Sequence, residues 1–226
     1  MTNNFINASK KLHINNPDYG KASEYQSKGT MKYELSIPDA VRHSQEKYGV
    51  KSFLDHGTGK GGLIHCLKIN PEIKAKVTGY DPGVTTFAKK PNHKYDIVSS
   101  IDVLEHIGIS DIDKTLLEIS SLTERFFFFC IDLLPASKRT HDNRNAHFLI
   151  APSEWWIQKI KNNFKILTSI EAGEMEDGSR YPIHLFGCAT NSMEHFQNMN
   201  EFLQNIKLAN KRLIWRKDGT LITKDY

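Results

Sequence analysis

The spacing of apolar positions changes from segment to segment, and those changes mark out the elements. Residues 1–30 are polar and weakly patterned, broken by Asn15-Asn16-Pro17 and Lys28-Gly29. Ser36, with Asp39 three residues on, has the signature of an N-cap; Ile37, Val41 and Tyr48 then share one helical face until Gly49 ends the helix. From Lys51 the rhythm becomes strand, turn, helix. Ser52-Phe53-Leu54 is a short apolar strand, and Gly61 to Leu67 opens a helix that must stop before Pro71. Lys76 to Tyr80 and Tyr95 to Ser100 read as further strands. Ser110 with Asp113 marks a helix start, and Ile112, Leu116, Ile119 and Leu122 form its inner face. Phe126 to Ile131 is apolar without alternation, the pattern of a strand covered on both sides. Pro152-Ser153-Glu154 starts a helix carrying Trp156, Ile160 and Phe164, and strands follow near 165–170 and 181–189.

Strands alternating with helices predict an α/β domain with a doubly wound, mostly parallel sheet. The last two strands have no helix between them, so one of them is expected to be antiparallel. Beyond Asn191 the pattern predicts an amphipathic helix (Phe196, Met199, Leu203, Ile206). Leu213-Ile214-Trp215 and Leu221-Ile222 then flank Lys217-Asp218-Gly219 as a hairpin. The expected organisation is a polar segment and helix over 1–50, able to act as a lid, a core over 51–190, and a helix-and-hairpin extension over 191–226.

Composition narrows this picture only slightly. A chain of 226 residues, 39% apolar and 25% charged, can bury one sizeable core and is too short for two comfortable domains. The formal charge of +4 fits a solvated lysine-rich surface better than a dedicated anion-binding one. Cys66, Cys130 and Cys188 are scattered and make no C-x-x-C pair, which argues against a zinc knuckle or a disulfide framework and fits a reducing, cytoplasmic setting. No apolar run approaches the ~20 residues of a membrane span.

The chemistry concentrates in three places. The first is Phe53-Leu54-Asp55-His56-Gly57-Thr58-Gly59-Lys60-Gly61-Gly62, where a buried strand runs into a glycine-rich turn and a helix begins at once. Glycine permits positive φ and a close backbone approach to a ligand there, although any tight strand-to-helix turn also favours it. The second is Asp81-Pro82 at the end of the next strand, where a carboxylate suits the vicinal hydroxyls of a ribose. The third is Tyr95-Asp96-Ile97-Val98-Ser99-Ser100-Ile101-Asp102-Val103-Leu104-Glu105-His106-Ile107.

Together these segments resemble the class I S-adenosylmethionine-dependent methyltransferases, over roughly Phe53 to Ala189. The resemblance implies a Rossmann-like fold with S-adenosylmethionine as cofactor. It implies Asp55, Gly57, Thr58, Gly59 and Gly61 at the methionine part, Asp81 and Pro82 at the ribose, and Asp102 with Glu105 and His106 beside the active site. The turn is not the G-x-G-x-x-G of nicotinamide enzymes. One departure is clear: only 14 residues separate Asp81 from Asp96, where the family fits a helix, a third strand and another helix. The third strand is expected to be shortened or absent, and no adenine-binding residue can be carried over.

His147, in Arg144-Asn145-Ala146-His147-Phe148, follows the Phe126 strand, whose carboxyl end should open on the same crevice as His106. Both imidazoles are candidate bases, with Glu105 the third catalytic candidate. Asp102, Glu105, His106 and His147 also form a conceivable divalent-metal set, similar to the pattern of small-RNA 2′-O-methyltransferases, though L-E-H segments also occur in metal-free relatives. No Asn/Asp-Pro-Pro-Tyr segment and no Pro-Cys nucleophile point to DNA bases. Lys207, Lys211, Arg212, Arg216 and Lys217 make a basic tail that reads more readily as solvated surface than as a nucleic-acid contact. The favoured reading is methyl transfer to oxygen or nitrogen of a small-molecule or saccharide-type acceptor. An RNA methyltransferase and a non-catalytic S-adenosylmethionine-binding module stay open; nothing in the sequence fixes the oligomeric state.

Overall fold

The consecutive aromatics Phe126 to Phe129 set the layering. On a strand, neighbouring side chains point to opposite faces. Phe126 and Phe128 join one core cluster and Phe127 and Phe129 the other, all four fully buried. A computed structural model of the chain describes residues 37–140, 142–206, 211–215 and 221–225, together with Lys10, Lys11 and Ile14. Ser36, most of the polar segment before it, the hairpin tip Lys217-Asp218-Gly219, and Lys207 and Arg216 of the basic tail lie outside the described residues.

The elements are α1 (Ile37–Tyr48), β1 (Ser52–His56), α2 (Gly62–Ile69), β2 (Lys76–Tyr80), β3 (Tyr95–Ile101), α3 (Ile112–Leu122), β4 (Thr123–Asp132), α4 (Ser153–Lys161), β5 (Ile166–Met175), β6 (Arg180–Thr190), α5 (Phe196–Asn205), β7 (Lys211–Trp215) and β8 (Leu221–Asp225). The strands form one sheet in the order β2-β1-β3-β4-β6-β5-β7-β8. The β2, β1, β3 and β4 strands are mutually parallel, so their carboxyl ends share one edge. As expected of a pair joined without a helix, one strand reverses: β6 runs antiparallel to both β4 and β5. The final two strands form the expected hairpin, with β7 parallel beside β5. One face of the sheet is covered by α1, α2 and α5, the other by α3 and α4. Among the described residues no helix is long and apolar enough to cross a membrane.

Between Asp81 and Tyr95 there is no strand and no α-helix, only a 3₁₀ turn at Thr85–Phe87. This short segment closes both faces of β2. On one side the Phe87 ring fills the space over the glycines: a Cβ on Gly61 would meet it at 2.5 Å, and one on Gly79 at 3.0 Å. On the other, Lys90 reaches Glu118 of α3 at 2.6 Å, and Glu118 in turn lies 3.5 Å from the buried His56.

Two local expectations are corrected. Ser110 is not the N-cap of α3: Asp111 occupies that position, without a side-chain capping bond, and the Ser110 hydroxyl is turned to the Asp111 carboxylate at 3.4 Å. Phe196 is not on the inner face of α5. It opens the helix directly after the 3₁₀ turn Met193–His195 and is 36% exposed, while Met199, Phe202, Leu203 and Ile206 face the core.

Candidate active site

The exit of β1 is tied to the end of β2. The amides of Gly57 and Thr58 both donate to the Tyr80 carbonyl, at 2.7 and 3.1 Å. From there the chain turns through Gly57, Gly59 and Gly61 at φ 88°, 55° and 79°, a left-handed path open to glycine. At Gly57 space decides as well, since a Cβ would stand 2.5 Å from both methyls of Val103. Asp81 braces the turn from β2: its carboxylate accepts the Gly59 amide at 2.9 Å and the Gly83 amide at 2.8 Å. Pro82 follows, half-buried. Asp55 lies beneath the turn, 5% exposed, and accepts the Ser99 hydroxyl at 2.8 Å. Burial pushes its carboxyl up to about 6, against the pull of the Ser99 and Thr58 hydroxyls.

The end of β3 is strained. Asp102 is a non-glycine residue at φ 52°, exposed, with its amide donating to the Cys130 carbonyl at 3.0 Å. Such left-handed residues persist where surrounding structure enforces them, and they cluster at functional sites. The reversal feeds the 3₁₀ turn Leu104–His106, which sets Glu105 inward and His106 at the crevice. Glu105 is fully buried. One of its oxygens accepts the Asp132 amide at 3.1 Å; the other, Oε2, has no hydrogen-bond partner among the described residues. Burial, reinforced by the neighbouring Asp102 charge, pushes its carboxyl well above the usual range.

The loop after β4 brings the second imidazole. Asn145 staples it, accepting the amides of Ala136 (3.0 Å) and His147 (2.8 Å) and donating to the Ala136 carbonyl at 2.9 Å. The Leu149 amide donates to the Glu105 carbonyl at 3.0 Å, closing the loop onto the β3 side. The His106 and His147 rings, 41 positions apart in sequence, stand edge to face with centroids 4.7 Å apart. His106 Nδ1 lies 2.8 Å from the Ala146 carbonyl and His147 Nδ1 lies 2.5 Å from that of Leu134. A carbonyl can only accept, so each Nδ1 carries a proton, and the lone pair of either ring in its neutral form belongs to Nε2. Ligand atoms of Glu105, His106 and His147 all lie within 4.8 Å of one another, a spacing that can hold a metal ion. Asp102 does not belong to this group.

Sequence reasoning missed Asp132 and His184. Asp132 ends β4, accepts the Leu134 amide at 2.9 Å and lies 3.5 Å from Nε2 of the buried His184 on β6. Burial raises its carboxyl, but His184 and the Leu134 amide outweigh that and hold it below the usual range. An acid at the carboxyl end of a parallel strand was the available signal; its imidazole partner, 52 positions on, carried none. Trp156 is fully buried core, and Trp155 packs beneath the Lys159 ammonium at 5.3 Å.

A family model described as "Methyltransferase domain" matches residues 31–172. No curated protein matches the chain by sequence. Among solved structures, similar folds include the plantazolicin methyltransferase BpumL in complex with SAH: TM-score 0.52, 12% identity, covering 83% of this chain and 95% of that one. The magnesium protoporphyrin IX methyltransferase ChlM from Synechocystis PCC 6803 with bound SAM has a TM-score of 0.51 at 15% identity, over 82% and 97% of the two chains. The DhpI–SAH complex has a TM-score of 0.50 at 12% identity, over 85% and 100%. At such identities the likeness is one of fold. The family match, however, runs through α1 and into β5, more than half of the chain. This protein therefore belongs to the methyltransferase-domain family, on the Rossmann-like fold of class I S-adenosylmethionine-dependent methyltransferases.

Proposed function

We propose that the chain transfers a methyl group from S-adenosylmethionine to an oxygen or nitrogen of a small-molecule or saccharide-type acceptor. The glycine turn with Asp55, Gly57, Thr58, Gly59 and Gly61 suits the methionine part, and Asp81 with Pro82 the ribose; Asp102 borders the same crevice. The cofactor supplies an electrophilic methyl carbon on a sulfonium sulfur. What the protein adds is alignment and a proton acceptor. The paired imidazoles carry this reading: each is held as the Nδ1–H tautomer by a backbone carbonyl, so Nε2 of His106 or His147 can take the acceptor's proton as its lone pair bonds to the methyl carbon. The electrons of the broken C–S bond remain on sulfur. Glu105 stiffens the constellation through the Asp132 amide. The free, buried thiols of Cys130 and Cys188 support a reducing, cytoplasmic setting.

A second reading has its own observation. Glu105, whose buried Oε2 has no hydrogen-bond partner among the described residues, lies with His106 and His147 in a donor set for a divalent cation, which would favour a metal-assisted reaction, on RNA for instance. His106→Ala and His147→Ala assayed with and without EDTA separate the cases. A general base predicts chelator-insensitive wild-type turnover and a loss of roughly 10²–10⁴-fold in one variant, with S-adenosylhomocysteine affinity unchanged. Chelator-sensitive wild-type turnover sinks the metal-free version, and unchanged turnover in both variants sinks the imidazole roles altogether. A purely binding module would show cofactor affinity and no turnover with any acceptor.

A further inference from the structure

Asp132, the last residue of β4, is bonded to several parts of the site, and the methyl-transfer reading gives its side chain no task. Its amide donates to Glu105 at 3.1 Å. Its Oδ1 accepts the amide of Leu134, two residues on, at 2.9 Å. In such a turn a carboxylate takes the place of a backbone acceptor. The Leu134 carbonyl in turn accepts from Nδ1 of His147. His184, opposite Asp132 in the β4–β6 register, sets its Nε2 3.5 Å from the other carboxylate oxygen, Oδ2. The His147 ring lies close enough to pull on the same carboxylate charge.

The Leu134 carbonyl stands where the sheet stops supporting the chain. The Leu133 amide still donates to the Ile183 carbonyl on β6, at 2.8 Å. Pro135 then follows Leu134 and has no amide to bond. The chain is next fastened at Ala136, by the side chain of Asn145. Between those points the Leu134 amide is tied to the Asp132 carboxylate, and that bond fixes the residue whose carbonyl meets His147. In an imidazole, the hydrogen bond made by one ring nitrogen decides which nitrogen keeps the lone pair. We infer that Asp132 is a positioning residue: through Leu134 it holds His147 in the Nδ1–H form, which leaves Nε2 open to the acceptor's proton, while His184 holds Asp132. The inference rests on the base role proposed above for the imidazoles and names what orients one of them.

The test uses the full chain, isotope-labelled at the histidine nitrogens, with EDTA present and saturated with S-adenosylhomocysteine. Long-range proton–nitrogen correlation at about pH 8, above the ordinary imidazole range, distinguishes the two neutral forms of each ring. His147→Gln assigns the ring by its missing signal. In the wild type His147 is expected to be protonated at Nδ1. Asp132→Asn, whose amide oxygen can still accept from Leu134, should keep that form. Asp132→Ala should bring the Nε2–H form into view, the ratio of the two falling roughly tenfold, about what one lost hydrogen bond supplies. Asp132→Ala combined with His184→Phe strands no buried imidazole and carries the same expectation should the single variant fail to fold. A wild-type His147 in any other form, a ring that keeps Nδ1–H in the alanine variants, or an asparagine variant that loses it as alanine does would overturn the assignment. A role confined to stability would lower the melting temperature of Asp132→Ala and leave the ring as it was, which also overturns it. Failure of the wild type to bind S-adenosylhomocysteine would count instead against the methyltransferase reading, and the His147→Ala assay tests the base role by itself, so the failures are distinct.

Discussion

Asp55 shows how much of a glycine-turn motif acts from below. Its carboxylate is buried against Ser99 and carries a pKa raised to about 6. For an acid this means the folded state holds its proton more tightly than the unfolded chain does, so stability falls as pH rises from the unfolded value of 3.8 toward about 6. A shift of about two units corresponds to about 3 kcal/mol at most. Asp55→Asn removes that titration. Urea unfolding at pH 4 and pH 7 should show the variant gaining on the wild type by up to that amount at the higher pH. A stability difference that does not change with pH would mean that Asp55 ionises normally. The residue types at this site were legible because glycines, acids and histidines carry chemical meaning wherever they stand. Which partner each one takes was not: that His147 rests on Leu134, or that Asp132 meets His184, depends on loops and on a strand pairing that no local pattern encodes.

The segment 82–94 marks the corresponding limit for elements. A gap too short for a helix, strand and helix is a matter of chain length, so the missing third strand could be read directly from the spacing of Asp81 and Asp96. How the sheet edge survives the loss could not, because a single phenylalanine in a polar stretch has no periodicity. Phe87 covers Gly61 and Gly79 on one face, and Lys90 secures the other through Glu118. The His56 ring leads in pulling the Glu118 carboxyl down to about 2; burial opposes this, and the Lys90 ammonium adds to the pull. Phe87→Ala should cost roughly 1–3 kcal/mol, as expected for emptying a half-buried aromatic site. The loss should be local: hydrogen exchange is expected to accelerate at the β2 amides and the glycine turn before it does in β4. Uniform acceleration across the sheet would mean that the strap contributes only to global stability.

For the molecule as a whole, the first described helix and the last are parts of one structure. The α1 and α5 helices pack against each other: Ser44 donates to Asn198 at 2.9 Å in a buried contact, and His43 and Lys47 both meet Glu201 at 2.7 Å. Their apolar residues, Ile37, Ala40 and Val41 with Met199, Phe202 and Leu203, fall in the same cluster as Phe126 and Phe128. Phe202 alone packs edge to face on both of those rings, at 5.1 and 5.4 Å. The sequence marked each helix as amphipathic but could not show that two faces more than 150 positions apart cover the same strands. The methyltransferase-family match ends at residue 172, yet the fold does not close there. A chain ending at residue 191 would expose Phe126, Phe128 and the inner face of α1 to water. Burying one such aromatic side chain is worth about 1.5–3 kcal/mol, and a whole domain is typically stable by only about 5–15 kcal/mol. The truncated chain is therefore expected to lose cooperative thermal unfolding and bind a hydrophobic dye, whereas a chain ending at residue 206, which keeps α5 and omits the hairpin, should still unfold in one transition. Cooperative unfolding of the 191-residue chain, with its cofactor affinity intact, would show that α5 is an appendage to a core complete without it.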